Sequence, residues 1–100
     1  MYQPIDQVKT GIKLKMLLKV AGYDVKYIQE YLHLSIYRWF KGKVLPSVEH
    51  LCALSKLLNV HMEDLLVLQG ESVIYSMIEL LDDPTTKRLL TYAKYLQKVA

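Results

Sequence analysis

Helix starts and helix stops alternate along this chain at short intervals, and that punctuation restricts its fold more than any other feature. Thr10 offers a hydroxyl for a first cap, and Leu14, Leu17, Leu18 and Ala21 recur at helical spacing until Gly22 supplies a stop. A second helix starts behind Asp24 and places Val25, Ile28 and Leu32 on one face. The piece from Ile36 to Lys41, closed by Gly42, has room for barely two turns. Pro46 keeps the preceding residues extended, and Ser47 then caps a longer helix carrying Val48, Leu51, Leu54, Leu57 and Leu58, with Asn59 as a left-handed stop. Further helices are predicted over 62–68, with Glu63 and Asp64 in the first turn, over 72–81, and over 84–99 behind an Asp83 cap. No segment alternates β-branched and polar residues as a strand would, so the fold class is all-α.

One hundred residues, 52% hydrophobic and 23% charged, suit a single packed core and exclude a chain disordered throughout. Apolar runs such as Leu65-Leu66-Val67-Leu68 are interrupted long before the ~20 residues of a membrane span, so no membrane partner is expected. The first residues have neither a basic start nor an apolar segment, which gives a cytoplasmic expectation. Cys52 has no cysteine to pair with, and with His33, His50 and His61 it makes no zinc spacing; the expectation is no metal and no cofactor. Enzyme chemistry finds no carrier either: there is no Gly-rich phosphate loop or nucleophile elbow, and the adjacent Asp82 and Asp83 point apart on a helical end.

Charge is distributed unevenly. Residues 1–47 hold eight basic and three acidic side chains, a net of +5, whereas residues 48–100 hold five and seven, a net of −2. This asymmetry points the N-terminal half towards a polyanion, with a basic solvated surface as the competing explanation.

The run Ile28-Gln29-Glu30-Tyr31-Leu32-His33-Leu34-Ser35, then Ile36-Tyr37-Arg38-Trp39-Phe40-Lys41-Gly42-Lys43, then Pro46-Ser47 and a leucine-periodic helix, resembles the phage-repressor and Cro type of helix-turn-helix, the XRE family. The similarity covers roughly residues 10–68. It implies a five-helix lambda-repressor-like domain over 8–69 whose second and third helices form the DNA-reading unit, followed by two C-terminal helices over 70–100. It also implies a transcriptional regulator, a repressor, with double-stranded DNA as partner. Carried over by position, Ile28, Leu32, Leu34, Ile36 and Trp39 are core. Arg38 faces base edges, Tyr37 shares its exposed side, Ser35 lies in the turn, and Lys26, Lys41 and Lys43 approach phosphates.

The chain departs from the family pattern by having three or four fewer residues between Ser35 and Ile36, where the first turn of the recognition helix belongs. Three helical residues amount to ~4.5 Å of length and ~60° of register. Either the third helix starts late and stays short, or the end of the second, around Tyr31 to His33, unwinds. His33 replaces the usual turn glycine and Gln29 a small residue where two helices approach. An alternative reading is therefore a helical protein-interaction module, or an antitoxin-like protein, with weakened base reading.

Other residues carry two readings each. Arg38 either contacts DNA or is solvated opposite Glu30 or Glu49; Lys13, Lys15 and Lys19 form a solvated face or a phosphate-facing one. Tyr23, Tyr27, Tyr31 and Tyr37, spaced by about four, are a helix-junction cluster or a stacking platform for single strands. The stripes Val73, Ile74, Met77, Ile78, Leu81 and Leu89, Ala93, Leu96 either fold back on the domain or form a homodimer interface.

Overall fold

A computed structural model describes residues 4–82 of the chain. Five α-helices follow one another: α1 (Gln7–Val20), α2 (Val25–Leu32), α3 (Tyr37–Phe40), α4 (Val48–Leu58) and α5 (Val73–Asp82), with a single 3₁₀ turn at Met62–Leu65 between the last two. Among the described residues the only β pairing is one antiparallel bridge, Ile5 with Leu68. The all-α class therefore stands. The helix expected over 84–99, and with it Leu89, Ala93 and Leu96, lies outside the described residues.

Most of the punctuation acts as the residues imply. The Asp24 carboxylate accepts from the Lys26 amide, Ser47 Oγ from the His50 amide at 3.3 Å and Ser72 Oγ from the Tyr75 amide at 3.2 Å, each meeting a donor that a helix start leaves open. Asn59 takes the left-handed conformation that ends α4.

Two expectations are corrected. α1 is capped by Asp6, whose carboxylate accepts from the Lys9 amide at 2.9 Å, and not by Thr10. Thr10 is instead fully buried one turn in, where its Oγ1 accepts from the Val67 amide at 3.0 Å and donates to the Val67 carbonyl at 3.3 Å. This long-range clamp satisfies both backbone groups of a buried extended residue. For the same reason the helix expected over 62–68 is a single 3₁₀ turn: from Leu66 the chain is extended, and residues 67 and 69 bond residues 6 and 4.

The core is one cluster built from Leu14, Leu17, Leu18 and Ala21 of α1, Ile28 of α2, Ile36 and Trp39 around α3, and Leu51, Leu54 and Leu58 of α4. Leu32 and Leu34 are half-buried against it. Val48, expected on the apolar face of α4, is 72% exposed because it occupies the first turn, ahead of the packed stripe. Met77 and Leu80 of α5 belong to the core, and α5 packs along α1. The first of the two C-terminal stripes thus folds back, leaving Ile74 and Ile78 exposed.

This docking changes the standing of Lys13. Lys15 and Lys19 are exposed as a solvated face should be, but Lys13 is only 3% exposed and its Nζ donates to Ser76 Oγ of α5 at 2.6 Å. Burial pushes its pKa below the ordinary 10.5, and the charges of Asp64, Glu71 and Glu79 partly offset that. Between the lowered value and 10.5 the unfolded chain holds a proton that the folded chain has released, so stability rises with pH across that window. Tyr23 acts oppositely above its ordinary 10.0: burial first, then the neighbouring Tyr27 and Tyr31, raise its pKa and favour the neutral ring. Urea denaturation over a pH series from about 8 to about 10.5 in a Tyr23→Phe background is expected to show the rise, and Lys13→Met in that background to flatten it. An unchanged slope in Lys13→Met would assign the rise to another group.

Candidate nucleic-acid interface

The segment from α2 to the loop after α3 is held by backbone geometry. α2 does not unwind: it runs to Leu32 and ends on His33, which takes the left-handed conformation at φ 59°, uncommon for a residue with a Cβ though less so for His than for most. The Leu34 amide donates back to the Gln29 carbonyl. α3 is the element that yields, with four residues and a length of about 6 Å.

Its N-cap residue, Ile36, has no side chain to cap with, and Gln29 substitutes: its Oε1 accepts from the Ile36 amide at 3.2 Å. Gln29 therefore fastens the shortened turn across seven residues of sequence. Nothing in the local pattern signalled this, since the acceptor and donor meet only once the turn is formed.

At the other end, the Lys43 amide donates to the Arg38 carbonyl at 2.9 Å and the Gly42 amide to the Trp39 carbonyl at 3.0 Å, with Gly42 at φ 71°. This left-handed closure needs glycine here because a Cβ would also stand 2.7 Å from the Val8 backbone. Beneath α3, Trp39 is buried beside His50, with ring centroids 5.8 Å apart, which assigns it to the core.

α1 and α3 also approach closely. A Cβ on Gly11 would overlap the Trp39 carbonyl oxygen and stand 3.2 Å from that of Phe40, so only glycine admits α3 at this depth. Sequence reading assigned Gly11 no role; its one signal is a glycine inside an otherwise good helix, where it costs about 1 kcal/mol relative to alanine.

On this platform Ser35, Tyr37, Arg38, Lys41 and Lys43 are all exposed and lie within nine residues of chain. Tyr37 and Arg38 stand four and three residues before Lys41, the spacing that places helical side chains on one face. Tyr37 meets Phe40 edge-on, with centroids 6.4 Å apart, and Lys15 of α1 sits 6.0 Å over the Phe40 ring. Lys26 is exposed near the start of α2, roughly 10 Å along the helix from the turn. The side chains of Lys26, Arg38, Lys41 and Lys43 make no hydrogen bond or ion pair to another described residue, and Arg38 is paired with neither Glu30 nor Glu49.

The tyrosines separate into two groups. Tyr23, Tyr27 and Tyr31 stack along α2, with successive centroids 5.6 and 6.4 Å apart and interplanar angles of 21° and 7°. Tyr37 is not part of that ladder. No helix among the described residues is long and apolar enough to cross a membrane, and no group of three or more His, Cys, Asp or Glu is placed to hold a metal ion.

A protein-family model described as Helix-turn-helix, of the XRE/Cro type, matches residues 14–65, just over half of the chain. A search of curated proteins and a search of solved structures give no match. The family match spans α2, the Gln29-fastened turn and the exposed basic face of α3, on the α1 and α4 platform that carries them. The chain belongs to the XRE/Cro-type helix-turn-helix family, a family of DNA-binding regulators and not of enzymes.

Proposed function

We propose that the chain is a transcriptional repressor that lays α3 in the major groove of duplex DNA. Arg38 reads a base edge, Ser35 and Tyr37 bond at the groove rim, and Lys26, Lys41 and Lys43 contact phosphates. The observation that carries the reading is the set of exposed cations on and after α3 that pair with no other described residue, on a helix pressed onto α1 through Gly11. An unpaired arginine on a fixed backbone keeps its donors available for a guanine O6 and N7 pair. We place the DNA-binding domain at 8–69 and assign 70–100 to packing and to a homodimer that presents two recognition helices to adjacent half-sites. Within that extension α5 already packs on α1 and still exposes Ile74 and Ile78.

The test is a fluorescence-anisotropy titration on a sequence selected from a random duplex pool. Arg38→Ala is expected to flatten preference at one base pair by ~1–3 kcal/mol, whereas Lys43→Ala weakens all sequences about equally. The single-turn length of α3 favours one second reading, a protein-interaction module with only general duplex affinity. Failure of the pool to converge on any sequence, with weak binding to every duplex, would establish that reading in place of the first.

A further inference from the structure

A cavity of about 870 Å³ opens between α1, the end of α4, the 3₁₀ turn and α5, away from α3, and its volume falls in the roughly 300–1,000 Å³ range of small-molecule sites. Two observations about its walls are independent of each other. Lys13, 97% buried, lines it and uses one of its three ammonium donors, on Ser76 Oγ at 2.6 Å; no other described residue accepts from it. Around that ammonium the same cavity carries Glu63, Asp64, Glu71 and Glu79, against Lys56 as the one further Lys or Arg in its lining.

Two of the carboxylates are partly engaged by backbone: Asp64 Oδ2 accepts from the His61 amide at 3.0 Å and Glu71 Oε1 from the Leu68 amide at 2.7 Å. The Glu79 side chain has no hydrogen bond or ion pair to another described residue. The lining is thus net negative around a single buried cation, two of whose N–H groups meet no described acceptor. A simple anion would meet Lys13 but be repelled by the carboxylates, and a simple polycation would meet the carboxylates but be repelled by Lys13. A molecule with an anionic oxygen at one end and a cation at the other satisfies both, and excess positive charge suits it further.

We propose that this cavity is a binding site for a small zwitterion of the basic α-amino acid class, its carboxylate bonded to the Lys13 ammonium and its cationic end paired with Glu79 and Glu71. Such a ligand bridges α1 and α5, and so couples α5 to the helix on which α3 rests. The lowered pKa of Lys13 agrees with this geometry, since an incoming carboxylate compensates a charge that burial penalises.

Calorimetric titration of the full chain in the absence of DNA tests the site separately from the regulatory reading. L-arginine presents both ends, L-glutamate has an excess of negative charge, and spermidine presents cations alone. Arginine is expected to bind saturably and about tenfold or more tighter than either of the others, with Glu79→Gln weakening it about tenfold and Lys13→Met removing it. Glu79 is exposed, so its variant remains informative even where Lys13→Met fails to fold. Spermidine or glutamate binding as tightly as arginine overturns the proposal, as does an unchanged arginine affinity in Glu79→Gln or the absence of saturable binding by arginine at about 10 mM.

Discussion

Gly11→Ala is expected to lower the melting temperature by roughly 8–16 °C, about 2 kcal/mol of destabilisation for a chain of this size. Alanine is ordinarily the better helix former by about 1 kcal/mol, so propensity alone predicts the opposite sign. Contact decides. The added methyl would overlap the Trp39 carbonyl oxygen and crowd that of Phe40, and both are backbone atoms that cannot rotate aside. Relief requires α3 to lift from α1, which loosens Trp39 and Ile36 from a core in which they are 3% and 0% exposed. Arg38 and Lys41 would move with it. Lys19→Ala, at an exposed position on the same helix, serves as the control and is expected to change stability by no more than about 0.5 kcal/mol. A Gly11→Ala chain that melts at or above the parent temperature would show that the two helices do not approach this closely.

Salt is expected to affect DNA affinity more strongly than any single lysine substitution at the interface. Lys26, Arg38, Lys41 and Lys43 are exposed and unpaired within the described residues, so each phosphate contact they make releases a condensed counterion and adds about 0.9 to the logarithmic salt slope. With Arg38 on a base edge, the three lysine contacts give a slope near −2.7 for each engaged protomer, or a loss of about fortyfold in affinity between roughly 50 and 200 mM salt. Replacing Lys41 and Lys43 together by glutamine should bring the slope towards zero by about 2 while leaving the preferred sequence unchanged, because phosphate contacts position without reading bases. Anisotropy titrations at four salt concentrations measure both quantities. A parent slope indistinguishable from zero would remove phosphate contact by these residues, and with it the proposed orientation of α3.

The division between what was readable in the residues and what was not follows the range of the interactions. Asp24 and Ser47 cap their helices because a side-chain oxygen and an open amide two or three residues later meet whatever the rest of the chain does. The apolar spacings of α1 and α4 placed Leu14, Leu17, Leu18, Leu51, Leu54 and Leu58 in the core, since one face of an amphipathic helix must be covered. The order of these parts, with the aromatic-to-Gly42-Lys43 run, was enough to indicate the helix-turn-helix family, and the short connection after Ser35 was enough to foresee that either the third helix or the end of the second must yield, but not which.

Tertiary structure decided the rest, and each case is a contact between residues distant in sequence. Thr10 looked like a cap because its hydroxyl precedes a helical pattern, yet it bonds Val67, 57 residues on, and Asp6 takes the capping role. Lys13 shares a sequence stripe with the exposed Lys15 and Lys19, but its direction from the α1 axis carries it under α5, a helix whose docking no local pattern specifies. Gln29 acquired a function only when the turn brought the Ile36 amide to it. Gly11, which weakens α1 as an isolated helix, is the residue that lets α3 seat upon it: local propensity counts the lost side chain as a cost, whereas packing requires the space.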